Sequence, residues 1–410
     1  MHESSRAADG DLDPTFGNGG KEIIQIAAGQ REYVTTLAIQ SDGKILGAGE
    51  LGDFGSDGNR VVLFRLNFNG ALDQTFGNGG IIITTSQVHA PKLIIQPDGI
   101  FITAATTTIL GETWDFAVKR YNADGSLDQT FGNNGYASNG NGHAQTILLQ
   151  PDGKIVLVGF LPIFRNGSDY LAARFNADGT VDQTFGIGGR VQTSFTSGRT
   201  SDDHAHAGGL QTDGKIILSG FAGGFSPVMI RYNPDGSVDT SFGLDGIVMS
   251  SSFGATANSL LIQPDGKIVV SGGGFVLGRY NPNGTTDSSF GTNGRVAGGF
   301  GTGNGAAHAL TIDRAGRLLV SGSICYTNTG NCAFLIGRYN PNGTHDNKFG
   351  TNGFVITEFT GALDVANTEV IQGKSGKLIA AGYAAEPGAS YHDFSLARYE
   401  TSLNLWATDD

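Results

Sequence analysis

The chain is short of charge, cysteine, proline and long apolar runs. Only 16% of its 410 residues are Asp, Glu, Lys or Arg. Its 2 cysteines are too few for a disulfide framework. No apolar stretch approaches the roughly 18 residues of a membrane-spanning helix, so no membrane insertion is expected. Basic residues are outnumbered 38 to 26, for a net charge of −12. That deficit removes the footprint of sequence-independent nucleic-acid binding, so no nucleic-acid partner is expected. Anionic membrane surfaces are disfavoured on the same grounds. Helical periodicity is also missing from any segment longer than about ten residues. With 11 Pro and no three-residue glycine period, the chain is not collagen-like. The 25 Phe and 11 Tyr beside so few charges exclude a disordered chain.

What is abundant is glycine, 65 residues, about twice the usual share of roughly 7%. It belongs to a repeat. The string Phe-Gly-x-x-Gly recurs with its aromatic at Phe16, Phe76, Phe131, Phe185, Phe242, Phe290 and Phe349. A second string, apolar-Gln-x-Asp-Gly-Lys-apolar, is clearest at Ile39–Ile45, Leu149–Ile155, Leu210–Ile216 and Ile262–Ile268. Looser copies run Ile95–Phe101, Ile312–Leu318 and Ile371–Leu378, the last with one extra residue. A third, Arg-aromatic-Asn, starts at Arg65, Arg120, Arg174, Arg231, Arg279, Arg338 and Arg398, with Leu66 and Glu400 departing in the end copies.

Each unit reads as four short strands joined by Asp-Gly or Asn-Gly turns, in which Gly supplies the positive φ. The expected fold is all-β, a single seven-bladed β-propeller of four-stranded blades. An Asp follows each of the first six repeat Arg by eight residues, from Asp73 to Asp346. After Arg398 that place is Trp406, and the missing acid appears as Asp13. The N-terminal strand is therefore expected to complete the last blade and close the ring. The domain divides into a polar tail at 1–11 and the outer strand of blade 7 at 12–30. Blades 1 to 6 follow at 31–86, 87–141, 142–197, 198–251, 252–299 and 300–358, and the rest of blade 7 at 359–400. Repeat Phe residues are expected to plug neighbouring blades, and each Arg to pair with its Asp.

The run Arg120-Tyr121-Asn122-Ala123-Asp124-Gly125, then Leu127-Asp128-Gln129-Thr130-Phe131-Gly132, resembles the delta-60 repeat. So does Gln150-Pro151-Asp152-Gly153-Lys154-Ile155. The resemblance covers the chain from about Leu12 to Tyr399. It implies a bacterial β-propeller, often exported or on a surface. It implies no shared reaction and no catalytic residues.

Residues common to every unit build the unit, so function is sought where units differ. Seven residues before the Gln that ends each inner strand stand Tyr33, His89, His143, His204, Thr256, Ala306 and Val365. Five before it stand Thr35, Pro91, Gln145, His206, Asn258, His308 and Asn367. Five histidines thus gather at one mouth of the channel, with Asp202 and Asp203 beside them. His89, His143 and His204 could hold a divalent metal. His143, His204 and His206 could instead serve as general acid, base or ligands of a lyase or hydrolase. The plainer alternative is polar lining of a wet channel.

The irregular loops carry Phe54, Trp114, Phe164, Tyr326 and Tyr391. With Tyr33 and His308 they outline a face for a glycan or protein ligand. A non-enzymatic binding scaffold is the first reading of function, the His-based enzyme the second. Cys325 and Cys332 suit a local disulfide across one loop, which favours an oxidising compartment. Met1–Gly10 is polar, without the apolar core of a signal peptide. Either an export signal has been removed, placing the protein outside the cell or on its surface, or Met1 is the native start and the protein is cytoplasmic. Gly373-Lys374-Ser375 lacks the upstream Gly of a P-loop, and Asp9, Asp11 and Asp13 lack the Gly and Glu of an EF-hand.

Overall fold

The computed structural model describes residues 7–52, 59–87, 91–109, 113–163, 167–195, 201–223, 226–249, 257–298, 303–373 and 375–401. Among them every regular element is a strand, and no helix is long and apolar enough to cross a membrane. The strands form four sheets of four, one of five and one of eight.

The third unit shows why. His143–Leu149, Ile155–Ile163, Gly167–Phe175 and Arg190–Thr193 pair antiparallel in succession. Ile155, Val156, Leu157 and Val158 are all buried, which suits a strand covered on both faces. Gly153 turns the chain at φ +84°, and the Asp152 carboxylate accepts the Lys154 N–H at 3.1 Å.

In the last unit Leu363–Ile371, Leu378–Ala385 and Asp393–Tyr399 pair in the same way. Its fourth strand comes from the other end of the chain, Lys21–Ile24 running antiparallel to Asp393–Tyr399. The eight-stranded sheet is this meander joined to the preceding one by a single parallel bridge, Cys332 to Leu363.

The apolar cores lie between sheets. One joins Ile102, Phe116 and Val118 to Ile147, Ile155 and Leu157 of the next unit. Another joins Val34, Ile45 and Phe64 to Ile379, Phe394 and Leu396. The inner strand Glu32–Ile39 packs against both Lys92–Ile95 and Leu363–Ile371.

The repeat Arg ties these layers together. Arg231 Nε donates to Asp239 at 2.8 Å, and Nη2 to Ser241 at 3.2 Å. Nη1 crosses to the next unit and donates to the Pro282 carbonyl. The guanidinium lies 4.5 Å over the Phe242 ring. Lys215 adds a second cation, 3.1 Å from the Asp239 carboxylate. Burial alone would raise the Asp239 pKa, but the bonds from Ser241 and Lys215 and the Arg231 charge hold it well below the carboxylate range.

The motif reappears across the chain ends. Arg398 donates to Asp13 at 2.6 Å, to the Phe68 carbonyl, and lies over Phe16 at 4.8 Å. The expected Arg–Asp pairs and Phe plugs are therefore present. Removing one partner of such a buried pair strands a charge. Arg231→Ala should cost about 3–5 kcal/mol in urea unfolding, with Arg231→Lys recovering only part because an ammonium cannot fork. A loss below about 1 kcal/mol would contradict this role.

Candidate functional site

His143 and His204 open the inner strands of the third and fourth units, opposite Phe160 and Phe221 on the second strands. The next second-strand residues toward the core, Gly159 and Gly220, must lack a side chain. A Cβ there would run into the carbonyl oxygens of His143 and His204. These glycines serve close approach rather than a turn, a cause that the turn-based reading of glycine does not cover.

The rings form a continuous row. His143 and Phe160 stack with centroids 4.8 Å apart and planes within 10°. Phe160 and His204 stack at 3.8 Å and 1°. Phe221 follows at 4.9 Å from His204, and His206 stands edge-on to Phe221 at 5.2 Å. All five rings are partly exposed. Burial lowers the pKa of His204, against the opposing pull of Asp202 and Asp203. Burial and the charge of His204 push His206 down to about 4, so its imidazole is neutral at pH 7.

The position five residues before the terminal Gln is a β-bulge. The ladder skips Thr35, Gln145, His206, Asn258, His308 and Asn367. A bulge re-aims its side chain out of the strand's alternation. Here several side chains reach the next unit's inner strand. Thr35 Oγ1 donates to the Pro91 carbonyl at 2.5 Å, and Asn258 Nδ2 to Ala307 at 3.2 Å. His308 Nδ1 donates to Ala366 at 2.8 Å, and Asn367 Nδ2 to Val34 at 3.0 Å. Because the Ala366 carbonyl only accepts, His308 carries its proton on Nδ1. His206 and His308 thus belong to a belt of inter-unit hydrogen bonds and polar side chains. Lys92 lies within electrostatic reach of both His206 and His308, and donates to the Thr35 carbonyl at 3.0 Å. Burial pushes Lys92 down to about 8 against the pull of Glu50. Lys92 stands where other units have Thr, Ser or Ala, a departure that the same residue count would have exposed.

One residue before the seven-back position lie Glu32, Asp203 and Asp364, each fully buried. Their carboxylates accept backbone N–H groups. Glu32 takes Ile26 and Ala27, Asp203 takes Phe195 and Gly223, and Asp364 takes Phe359 and Thr360. Asp203 therefore fastens a loop, whereas Asp202 is exposed.

Tyr33 is buried, with its hydroxyl donating to the Gly52 carbonyl at 2.9 Å, so it offers no exposed ring. It packs edge-on against Tyr383 at 6.1 Å and beside His392 at 5.2 Å. Tyr326 and Tyr391 are partly exposed. Trp114 lies in the strand Thr113–Tyr121, while Phe54, His89 and Phe164 fall outside the described residues. Cys325 and Cys332 form a disulfide between paired strands. Among the described residues no group of three His, Cys, Asp or Glu could hold a metal, and His89 is not among them. The structure brings His143, His204 and His206 together in one row, and places His308 in the belt.

Five segments, residues 40–76, 96–131, 150–185, 211–242 and 263–290, match the family model described as a domain of unknown function (DUF5122) beta-propeller. The chain carries β-propeller repeats. A crystal structure of a protein of unknown function from Dyadobacter fermentans is similar, with TM-score 0.50 at 10% identity. The match covers 93% of this chain and 98% of that one, and is a likeness of fold. The GH93 alpha-L-arabinofuranosidase of Fusarium graminearum, solved with arabinobiose, gives TM-score 0.47 at 10% identity, covering 92% and 96%. No curated protein matches the chain.

One inner-strand residue breaks the pattern differently. Three before the terminal Gln or Asp, the units carry Leu37, Leu93, Ile147, Gly208, Leu260 and Leu310, but the last carries Glu369. Both Glu369 oxygens are shut off from solvent without a hydrogen bond of normal geometry. Burial pushes the carboxyl up to about 8, offset in part by the nearby Ser321 hydroxyl and Thr311 backbone. A raised carboxyl pKa contributes stability below the unfolded value of 4.5, lost as pH climbs towards 8. Glu369→Gln should therefore raise Tm more at pH 8 than at pH 5, measured by scanning calorimetry. An equal effect at both would contradict a neutral Glu369.

Proposed function

We propose that the repeats are of the delta-60 type and form one seven-bladed propeller, closed by the N-terminal strand. It works as a non-enzymatic binding scaffold, exported or at the cell surface, that recognises a glycan through its variable-loop face. Closure is supported by the packing of Glu32–Ile39 against Leu363–Ile371 and by the Asp13–Arg398 pair. The disulfide supports an oxidising compartment.

The observation that carries the binding reading is the row His143–Phe160–His204–Phe221. Partly exposed aromatic ring faces suit the C–H faces of sugar rings, and the adjoining Asp202 offers an acceptor for hydroxyls. The alternative is a lyase or hydrolase using His143, His204 and His206. It has less support, because His143 and His204 lie flat against Phe160 instead of converging on a common point.

A glycan array probed with the purified protein should return a small set of related sugars. Phe160→Ala should weaken the best of them at least about tenfold, the worth of one stacked ring. Its Tm should change little. Failure of every glycan to bind, or full affinity in Phe160→Ala, would contradict the proposal.

A further inference from the structure

Lys44, Lys154, Lys215, Lys267 and Lys377 each have a carboxylate oxygen within 3.1 Å. Lys92 has no such partner among the described residues. Its ammonium donates to the Thr35 carbonyl at 3.0 Å, and no other hydrogen bond or ion pair to a described residue engages it. Three N–H groups belong to an ammonium, so two remain. The pull of Glu50 offsets burial only in part, and Glu50 itself takes an N–H from Asn59 at 3.0 Å. An enclosed charge without a counter-ion is costly, and an anion in contact with it removes that cost.

The place of Lys92 in the fold is equally particular. At the belt position the second unit has Pro91, the one residue of the seven whose side chain has no hydrogen-bonding group. Lys92 follows it, where the repeat manages with Thr, Ser or Ala. With the ring closed as proposed above, the inner strands of the second, fourth and sixth units face one channel. Lys92 lies within electrostatic reach of His206 and His308 there, and all three are partly exposed, so solvent reaches them.

Burial holds both imidazoles below their usual pKa, and they are neutral at pH 7. His308 gives its Nδ1 proton to the Ala366 carbonyl, which leaves Nε2 as an acceptor. The channel thus offers ammonium N–H groups together with an imidazole lone pair. An anion that suits both has acceptor oxygens and an O–H of its own. Hydrogen phosphate has both, whereas sulfate has the oxygens alone.

We propose that the channel holds a phosphate group at Lys92, its oxygens taking the free ammonium N–H groups and its O–H meeting His308 Nε2. The site uses neither the Phe160 row nor a sugar, so it stands or falls apart from the glycan reading.

Titration calorimetry on the intact protein at pH 7 compares inorganic phosphate with sulfate. Phosphate should bind saturably at one site, and sulfate about tenfold more weakly. A net charge of −12 discourages loose anion binding, so one saturable phosphate marks a built site. Lys92→Thr copies Thr36, Thr146 and Thr368 of the first, third and last units. It should keep its Tm and lose phosphate binding. His308→Asn copies Asn258 and Asn367, whose amides make the same bond to the next unit, and should bring phosphate down to the affinity of sulfate. Methyl phosphate binding as tightly as phosphate marks a phosphate ester as the ligand, and weaker binding marks free phosphate; either supports the site. No saturable phosphate binding would overturn the proposal. So would equal affinity for phosphate and sulfate in the unaltered protein, or phosphate affinity unchanged in Lys92→Thr.

Discussion

The structure depends on the repeat arginine, which in six of the seven repeats belongs to two units at once, while Arg338 instead reaches Asp9. Its Nε is committed to an Asp eight residues on, as in Arg174–Asp182 at 2.7 Å, while Nη1 takes the Pro234 carbonyl of the next unit. Its flat face covers the repeat Phe, Phe185 in this case, at 4.6 Å. A buried guanidinium keeps its charge, and its fork serves a carboxylate and a carbonyl together. Sheet-to-sheet apolar packing is non-directional, so this clasp supplies the directional element that sets one unit against the next.

Because the clasp is common to the units, the chemistry that distinguishes this protein lies at the two ends of the inner strands. At one end the bulge releases His206 and His308 from the strand's alternation, and the Phe160 and Phe221 rings fill the space beside His204. At the other, Phe68 and Arg314 join Leu37, Ile39 and Val370 in lining a cavity. Between the bulge and the terminal Gln the inner strands carry no ionisable side chain except Lys92 and Glu369, whose ionisation is opposed by burial. The inner strands thus carry polar chemistry at a few unit-specific places on a regular frame.

Much of the frame was legible in the sequence because it repeats. The Arg–Asp spacing foretold the ion pairs, and the displaced Asp13 foretold the pair with Arg398. The site was legible in part. Counting back from the Gln found His143, His204 and His206, but their ring partners Phe160 and Phe221 lie on a different strand and become neighbours only through pairing. Counting also placed Tyr33 among exposed positions, although its ring is enclosed by Tyr383 and His392. A bulge has no sequence mark beyond the Gly across from it, so the re-aimed side chains could not be foreseen. Asp203 was read with Asp202 as a site acid. Its burial follows from loop N–H groups that pattern alone does not reveal.

The central claim is that the N-terminal strand holds the last unit against the first. Hydrogen-exchange mass spectrometry on a chain lacking residues 1–24 tests it most directly. The account predicts lost protection in Asp393–Tyr399, which loses its partner strand, and in Glu32–Ile39, which packs on the same unit. Protection in Gly167–Phe175 should persist at first. Unchanged protection of Asp393–Tyr399 and Glu32–Ile39 would contradict the account.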